Sequence, residues 1–389
     1  MANGPDSTSP ETENTPEQIL DQMLHQLWGL GRNIILACST SPDSLEVLVV
    51  PHYAIAEFAH EHGAPGDSQL DLIIDIITKA KVVPPYRMDQ ICGLLGQTPH
   101  RLDLPFNPEK EISAVALEEL VKRYGISYVE DRAVALFDIV GFSLFTPLEQ
   151  VTQLNSLSFS ANSAYSKLVG KEIDLHFART TTGDGFYMWN RDSSVQDNVV
   201  LYHFMHLVLA DNAIARKKAN TKAHTTPELR TCFHIGGHYE FFQAEGLNPT
   251  IYSYIVGDVT IELARMIDQA RAGQVLLGDF NVRMPDIQTG TVREFNTPSF
   301  IEEAQKTLSN LEGLELSGDQ ITSIKCYLTG KNNNRGGFDI AKYLITDKHG
   351  FSRYVYNAKD NIYRDGAEPI FLGIPNAELD DFGDDRTDG

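Results

Sequence analysis

Apolar residues recur at helical spacing over Glu17–Leu30, where Ile19, Leu20, Met23, Leu24 and Leu27 share one face. Leu70–Ala80 and Ile112–Tyr124 carry the same period. Asn33–Cys38 and Leu45–Val50 are short unbroken apolar runs with the length of core strands. This pattern predicts a small, mainly helical domain over residues 17–125, with a regulatory or dimerisation role. From Glu130 the pattern becomes one of alternating strands and helices. Ala133–Ile139 reads as a strand, Leu148–Val169 as a helix, and Ile173–Thr182 with Phe186–Trp189 as a hairpin around a Gly-Asp-Gly turn. Then come a long helix (Val195–Lys218), strands at Leu229–Phe241 and Thr250–Val256, a helix at Val259–Arg271 and a strand at Gln274–Leu277. After Gly278 an irregular stretch is expected. A helix near Phe300–Leu311 and two or three strands across Ile324–Tyr356 follow. Strands mixed with helices in this way predict an α+β domain over residues 126–374.

The ends have a different composition. Residues 1–16 are rich in Ser, Thr, Pro and Glu and predict a disordered tail. They have neither a basic segment nor an apolar core, so no secretory signal is expected. Residues 375–389 end in LDDFGDDRTDG and predict a solvated acidic tail. Of the 389 residues 42% are hydrophobic and 22% charged, and no apolar run reaches the ~20 residues of a membrane span. A cytoplasmic protein without membrane insertion is therefore expected. The formal net charge of −21 repels polyanions and argues against DNA or RNA as partners. It leaves room for a nucleotide, because bound divalent cations reverse the local field.

Three weaker patterns bear on this. Arg87–Arg101 (RMDQICGLLGQTPHR) has the outline of a helix, a Gly turn and a second helix start. In so acidic a chain, a helical hairpin used for packing or dimerisation is the better reading than DNA binding. Cys38, Cys92, Cys232 and Cys326 form no Cys-x-x-Cys pair, which predicts buried thiols in a reducing compartment. His203 with His206, and His234 with His238, have helix- and strand-neighbour spacings but no Cys or carboxylate partner in a known metal pattern, so packing roles are expected.

Three blocks carry candidate chemistry. In Phe137-Asp138-Ile139-Val140-Gly141-Phe142-Ser143 an aspartate ends an apolar strand and a Gly-containing loop follows. Such a carboxylate serves either as a turn or helix cap or as a metal ligand, beside amides that can approach a phosphate. Thr181-Thr182-Gly183-Asp184-Gly185-Phe186 is by itself an ordinary tight hairpin. Beside the first block it would bring a second carboxylate to the same point, as phosphoryl-transfer sites with two hard cations require. The third block, Ile255–Met266 (IVGDVTIELARM), opens a helix at Gly257 and carries Arg265 two turns in, where a guanidinium fork suits polyphosphate oxygens.

Taken in order, FDIVGFS, TTGDGF, VGDVTIELARM and GQVLLGD resemble the catalytic domain of class III adenylate and guanylate cyclases over residues 130–280. The resemblance implies a ferredoxin-like α+β core with extra strands, working as a head-to-tail homodimer with composite sites. It further implies that Asp138 and Asp184, helped by the Ile139 carbonyl, hold two Mg²⁺ or Mn²⁺ ions. Gly141, Phe142 and Ser143 would donate amides to the triphosphate, and Arg265 of the other protomer would stabilise its charge. The family's ribose-orienting asparagine is replaced by Ile261. Its base-reading positions hold Thr180, with Arg179 beside it, and Tyr254, which match neither purine code. A phenol ring fills space that a purine needs, so a pyrimidine base is expected. The chain as a whole looks like the uridylate and cytidylate cyclases of bacterial Pycsar anti-phage systems, a resemblance that implies synthesis of cUMP or cCMP for a separate effector. An adenylate or guanylate cyclase with a divergent pocket, or a catalytically degenerate nucleotide-binding homologue, are the alternatives.

Overall fold

In the computed structural model, which describes residues 14–62, 68–173, 175–220, 222–244, 251–332, 338–375, 378, 379 and 382, the first two apolar runs become paired strands. The elements in chain order are α1 (Pro16–Trp28), β1 (Asn33–Ser41), β2 (Ser44–Pro51), α2 (Ala54–Glu61), α3 (Ser68–Thr78), α4 (Pro85–Leu95), β3 (His100–Asp103), α5 (Pro108–Glu111) and α6 (Ala114–Lys122). The strands form one antiparallel sheet in the order β1-β2-β3. Alternation along β1 explains the layers. Ile35 is buried with Leu20, Leu24, Leu117 and Leu120 of α1 and α6. Ile34 and Leu36 are buried with Ile73, Ile76, Met88 and Ile91 of α3 and α4. Helices thus cover both faces of a three-stranded sheet that the helical reading of this segment did not include. Arg87–Arg101 is not a helical hairpin either: α4 ends with Gly96 in the left-handed conformation, and the chain passes into β3.

The chain divides into two compact units. The first runs to Tyr128 and also takes in Tyr239–Tyr254; the second comprises Val129–His238 and Ile255 onward. The first unit is therefore discontinuous along the chain. Residues 1–13 of the expected tail lie outside the described residues, and Pro16 already opens α1, capped by Thr15 in a capping box with Gln18.

The remaining elements are β4 (Ile126–Ile139), α7 (Pro147–Val169), β5 (Phe177–Thr181), β6 (Gly185–Asn190), α8 (Val195–Lys218), α9 (Lys222–Thr225), β7 (Leu229–Ala244), β8 (Ile251–Val256), α10 (Asp258–Gln269), β9 (Val275–Gly278), β10 (Asn281–Asp286), β11 (Thr291–Asn296), α11 (Thr297–Gln305), β12 (Glu315–Leu316), β13 (Asp319–Leu328), β14 (Gly330–Asn332), β15 (Phe338–Ile340), β16 (Tyr343–Thr346), β17 (Ser352–Arg364) and β18 (Ala367–Leu372). The large sheet has the order β12-β13-β17-β9-β7-β4-β6-β5, with β16 and β18 on β17 and β8 on β7. β7 and β9 run parallel, whereas β4–β6, β5–β6 and β9–β17 are antiparallel. The class is α+β, as expected.

The sheet is buried on both faces, and β4 shows how. Ala133, Ala135, Phe137 and Ile139 join the core built with α7, α8 and α11. Val134 and Leu136 join the core built with α10, alongside Leu263 and Met266. Helix α8 is buried nearly all round, from Leu201 and Tyr202 to Phe204, Met205, Leu207 and Val208. The stretch after Gly278, expected to be irregular, is a hairpin of β10 on β11. Its turn is ordered by Asp286, which accepts the amides of Gln288 and Thr289 at 2.9 and 3.3 Å. The acidic C-terminal segment is not wholly solvated: Leu379 and Phe382 are buried, and Phe382 packs against Tyr343. Among the described residues no helix is long and apolar enough to cross a membrane.

Strands β4 and β6 approach closely at Gly185, where a Cβ would lie 1.9 Å from the Phe137 carbonyl oxygen. The Cβ is fixed by the Gly185 backbone and the carbonyl belongs to the Phe137 backbone, so neither can yield without breaking the pairing. Gly185→Ala should cost roughly 3 kcal/mol or more, read as a lowered thermal midpoint or loss of folded protein. Gly93→Ala, in α4 with open space around the new methyl, is the control and should stabilise by about 0.5–1 kcal/mol. Equal midpoints for the two variants would contradict the close approach.

Candidate active site

Period-2 geometry puts Asp138 on a defined side of the sheet. It follows Val134 and Leu136 on the face packed by α10, at the last turn of β4 before the loop. The β4–β6 register sets Asp138 opposite Gly185, and the Ile139 amide donates to the Asp184 carbonyl at 3.1 Å. Asp184 sits in the tight turn between β5 and β6, which is held by Gly183 N–H to Thr181 Oγ1 at 3.0 Å and Thr182 N–H to the Gly185 carbonyl at 3.0 Å. The two carboxylates are thus brought together, as the sequence blocks predicted.

Asp138 is 6% exposed. Burial raises its pKa above the ordinary value, Arg230 pulls it back, and the neighbouring Asp184 raises it again. Arg230 was missed by sequence reasoning. Its Nε donates to Asp138 Oδ2 at 2.6 Å and its Nη1 to the Ala270 carbonyl at 3.3 Å. The signal that could have found it is a lone arginine in the buried strand run Leu229–Phe233, on the same face as Cys232. After β4, the Val140 amide donates to the Glu228 carbonyl at 2.9 Å, which ties this loop to the approach to β7.

Gly141, at φ 67°, opens a single 3-10 turn over Phe142–Leu144. Gln150 Nε2 donates to the carbonyls of Phe142 and Phe145, both at 3.1 Å, and Phe142 packs on the core while Ser143 is exposed. Helix α7 starts directly after this turn, so the loop lies at a helix N-terminus, a setting that favours anions.

The other candidates fare differently. Thr180 pairs with Tyr187 and shares the α10-facing side of β5 with Ala178. Arg179, one residue earlier, necessarily points to the other face, where its guanidinium lies over the Phe186 ring at 5.6 Å. It is therefore separated from the face that carries Asp138 and Thr180, which corrects the expectation that Arg179 lines the same pocket. Tyr254 belongs to the arm grouped with the first unit and stacks on Phe241, centroids 5.6 Å apart and planes at 21°. Ile261 is exposed on α10. Arg265 is also on α10, with Nε 3.1 Å from Asp347 Oδ2 and its guanidinium over Phe351 at 5.2 Å.

His206 has partners that local spacing did not show. His206 is buried, with Nδ1 2.5 Å from Asp360 Oδ2, and Cys326 joins them in a group whose donor atoms lie within 4.8 Å of one another. These partners come from β13 and β17 and were invisible to local spacing. His203 does have a packing role: it meets the Ala304 carbonyl at 2.9 Å, and burial lowers its pKa to about 4. All four cysteines are free; Cys38, Cys232 and Cys326 are buried.

No protein-family model matches this chain, and no curated protein matches it. Solved structures that resemble it include the guanylate cyclase domain of RhGC from Catenaria anguillulae in complex with GTP (10% identity, 61% of this chain and 98% of that one, TM-score 0.35). Another is the adenylyl cyclase CyaB from P. aeruginosa (13% identity, 60% and 95% coverage, TM-score 0.36). A further guanylyl cyclase gives 11% identity, 60% and 92% coverage and a TM-score of 0.37. At these values the likeness decides nothing about chemistry, and the residues of the site must carry it.

The donor set at Asp138 and Asp184 fits a hard divalent cation: two carboxylates and a peptide carbonyl in a partly desolvated corner, with Arg230 as the positive group already drawn in. Because its folded-state pKa is raised, Asp138 favours folding below its ordinary pKa, and that contribution is lost as pH rises through the raised value. Mn²⁺ or Mg²⁺ should therefore raise the thermal midpoint at neutral pH, by mass action on the folded state. Protons compete for the same carboxylate, so more cation should be needed as pH falls through the raised pKa. Asp138→Asn and Asp184→Asn should each abolish the shift. A shift that persists in both variants would remove these residues as ligands.

Proposed function

We propose that this chain is a class III nucleotide cyclase that converts UTP or CTP to the 3′,5′-cyclic monophosphate and pyrophosphate. The observation that carries the reading is the juxtaposition of Asp138 and Asp184 at adjacent strand ends, with the burial of Asp138 beside a second acid. The order of the sequence blocks supports it. In the reaction the ribose 3′-hydroxyl gives up its proton to solvent, its oxygen forms a bond to the α-phosphorus, the bond from that phosphorus to the α,β-bridging oxygen breaks, and pyrophosphate leaves with the electron pair.

Asp138 and Asp184 supply the oxygen donors, with the Ile139 carbonyl beside them. Two divalent cations held there would lower the pKa of the 3′-hydroxyl and neutralise phosphate charge. The turn Gly141–Ser143 offers amides to the triphosphate, and Arg265 of a second copy stabilises the charge that develops on it. Thr180 offers a small donor and acceptor to the base edge. Tyr254 stands at the family's second base-reading position in the sequence, where a phenol ring would reject the larger base. A role as a second-messenger synthase in anti-phage defence, with a separate effector reading the product, goes with this reading. One observation favours a rival: Ile261, exposed on α10, stands where a ribose-orienting asparagine is expected, as a nucleotide-binding homologue that has lost catalysis would allow.

Incubation with each of the four NTPs and Mn²⁺, followed by mass spectrometry, tests the reading. UTP or CTP should be cyclised well above ATP and GTP, and Tyr254→Ala should erode the preference. Faster turnover of a purine would hand the assignment to the adenylate or guanylate reading, and no product from any NTP would hand it to the degenerate one. Asp138→Ala and Arg265→Ala should each be inactive alone. Mixed, they should recover part of the activity, because one site per heterodimer is intact. No recovery despite subunit exchange would exclude a composite site.

A further inference from the structure

Arg265 does not project freely from α10. Its Nε lies 3.1 Å from Asp347 Oδ2, its Nη1 lies 4.0 Å from Glu262 Oε1, and its guanidinium covers the Phe351 ring at 5.2 Å. Asp347 closes the turn between β16 and β17 and is almost fully buried. Its Oδ1 accepts the amides of His349 and Phe351, both at 2.9 Å, so the carboxylate cannot rotate without dismantling its own turn. Those amides and the two nearby guanidiniums oppose the effect of burial and hold its pKa below the ordinary value, so it is an anion at neutral pH.

Arg353, from β17, completes the arrangement. Its Nη1 pairs with Glu262, and its Nη2 lies 3.6 Å from the same Asp347 oxygen. Two arginines and two carboxylates therefore balance. Asp347 stays paired through Arg353 even when Arg265 turns toward another anion, so the arginine can engage a phosphate without leaving a buried charge alone. A guanidinium meant to be locked away would be buried. The Arg265 side chain is 32% exposed, while that of Arg353 is 11% exposed.

We propose that Asp347 and Phe351 are positioning residues that preset the Arg265 guanidinium for a polyphosphate: the carboxylate holds it close by charge, the ring fixes its plane, and the exposed edge stays available to the ligand. This rests on the cyclase reading given above. It adds a specific dependence, since the arginine of one element would be aimed by the β16–β17 turn, about 80 residues further along the chain. Misplacement of such a group by about 1 Å costs up to two orders of magnitude in rate.

The test uses full-length protein and its best NTP. Measured well below the variant's own thermal midpoint, Asp347→Asn should lower kcat roughly ten- to a hundredfold, and Asp347→Glu should restore part of it. Phe351→Leu alters an exposed side chain that the fold does not need, and should lower kcat about two- to fivefold, the size of a lost cation–π contact. In an Arg265→Lys background the two changes should lower kcat by a smaller factor than they do in wild type. If wild type turns over but Arg265→Ala does so equally well, the arginine's role fails, and this proposal with it. If Arg265→Ala is impaired while Asp347→Asn and Phe351→Leu match wild type, the positioning role alone is wrong. An increase in kcat for Asp347→Asn would overturn it in the opposite sense, showing that the turn restrains the arginine. Should Asp347→Asn fail to fold, Phe351→Leu decides.

Discussion

The pairing of β4 with β6 is the constraint on which the site depends. Gly185 allows the two backbones to meet, and the register that follows sets Asp138 opposite it and Asp184 one residue before it. A slip of one residue would send Asp138 to the opposite face, into the apolar core against α7 and α8. There an ionised carboxylate would have neither Arg230 nor a second acid beside it. The same parity fixes the surroundings: Val134, Leu136, Cys232 and Ala178 make an apolar floor, and Asp138 and Arg230 are the charged groups set at its edge.

That floor explains the electrostatics. An aspartate in water needs no counter-ion, but one at 6% exposure does. Arg230 supplies one positive charge for two carboxylates, so the corner remains short of positive charge in a chain whose formal net charge is already −21. The arrangement therefore favours a cation over an anion at this point. A triphosphate could join only with its charge already compensated, which is why metal and nucleotide are best considered together here.

The sequence made some of this legible, for physical reasons that differ between elements. The long helix α8 was read to the residue because Ser194 caps it and its apolar content is continuous. Asp138 and Asp184 could be paired because each ends or joins strands that are themselves consecutive. The three-stranded sheet in the first unit was underestimated because two short apolar runs do not reveal that they pair with each other and with β3. The β10–β11 hairpin was missed because its turn depends on the Asp286 side chain rather than on a Gly-Asp or Asn-Gly pair. Arg230 and Asp347 lie about 90 and 80 residues from the groups they hold, and no local pattern reports such a partner. Arg179 was grouped with Thr180 by adjacency in the chain, although adjacent residues of a strand face opposite ways.

Two arginine arrangements now contrast in a way that bears on stability and reaction. Arg230 is aligned on Asp138 at 2.6 Å, a short charge-assisted hydrogen bond that partly offsets the effect of burial on the acid. Arg265 is close to Asp347, but Asp347 Oδ2 has no well-aligned donor, so that contact is mainly Coulombic. The first geometry suits a structural partner of a buried acid. The second suits a group drawn to one anion by charge alone, with an exposed edge left for another. A hydrogen-bonded fork would have to be broken before a phosphate could be bound, whereas an unaligned pair beside a second arginine loses little when the guanidinium turns. The difference in alignment, more than the difference in distance, separates the arginine that builds the site from the one available to act in it.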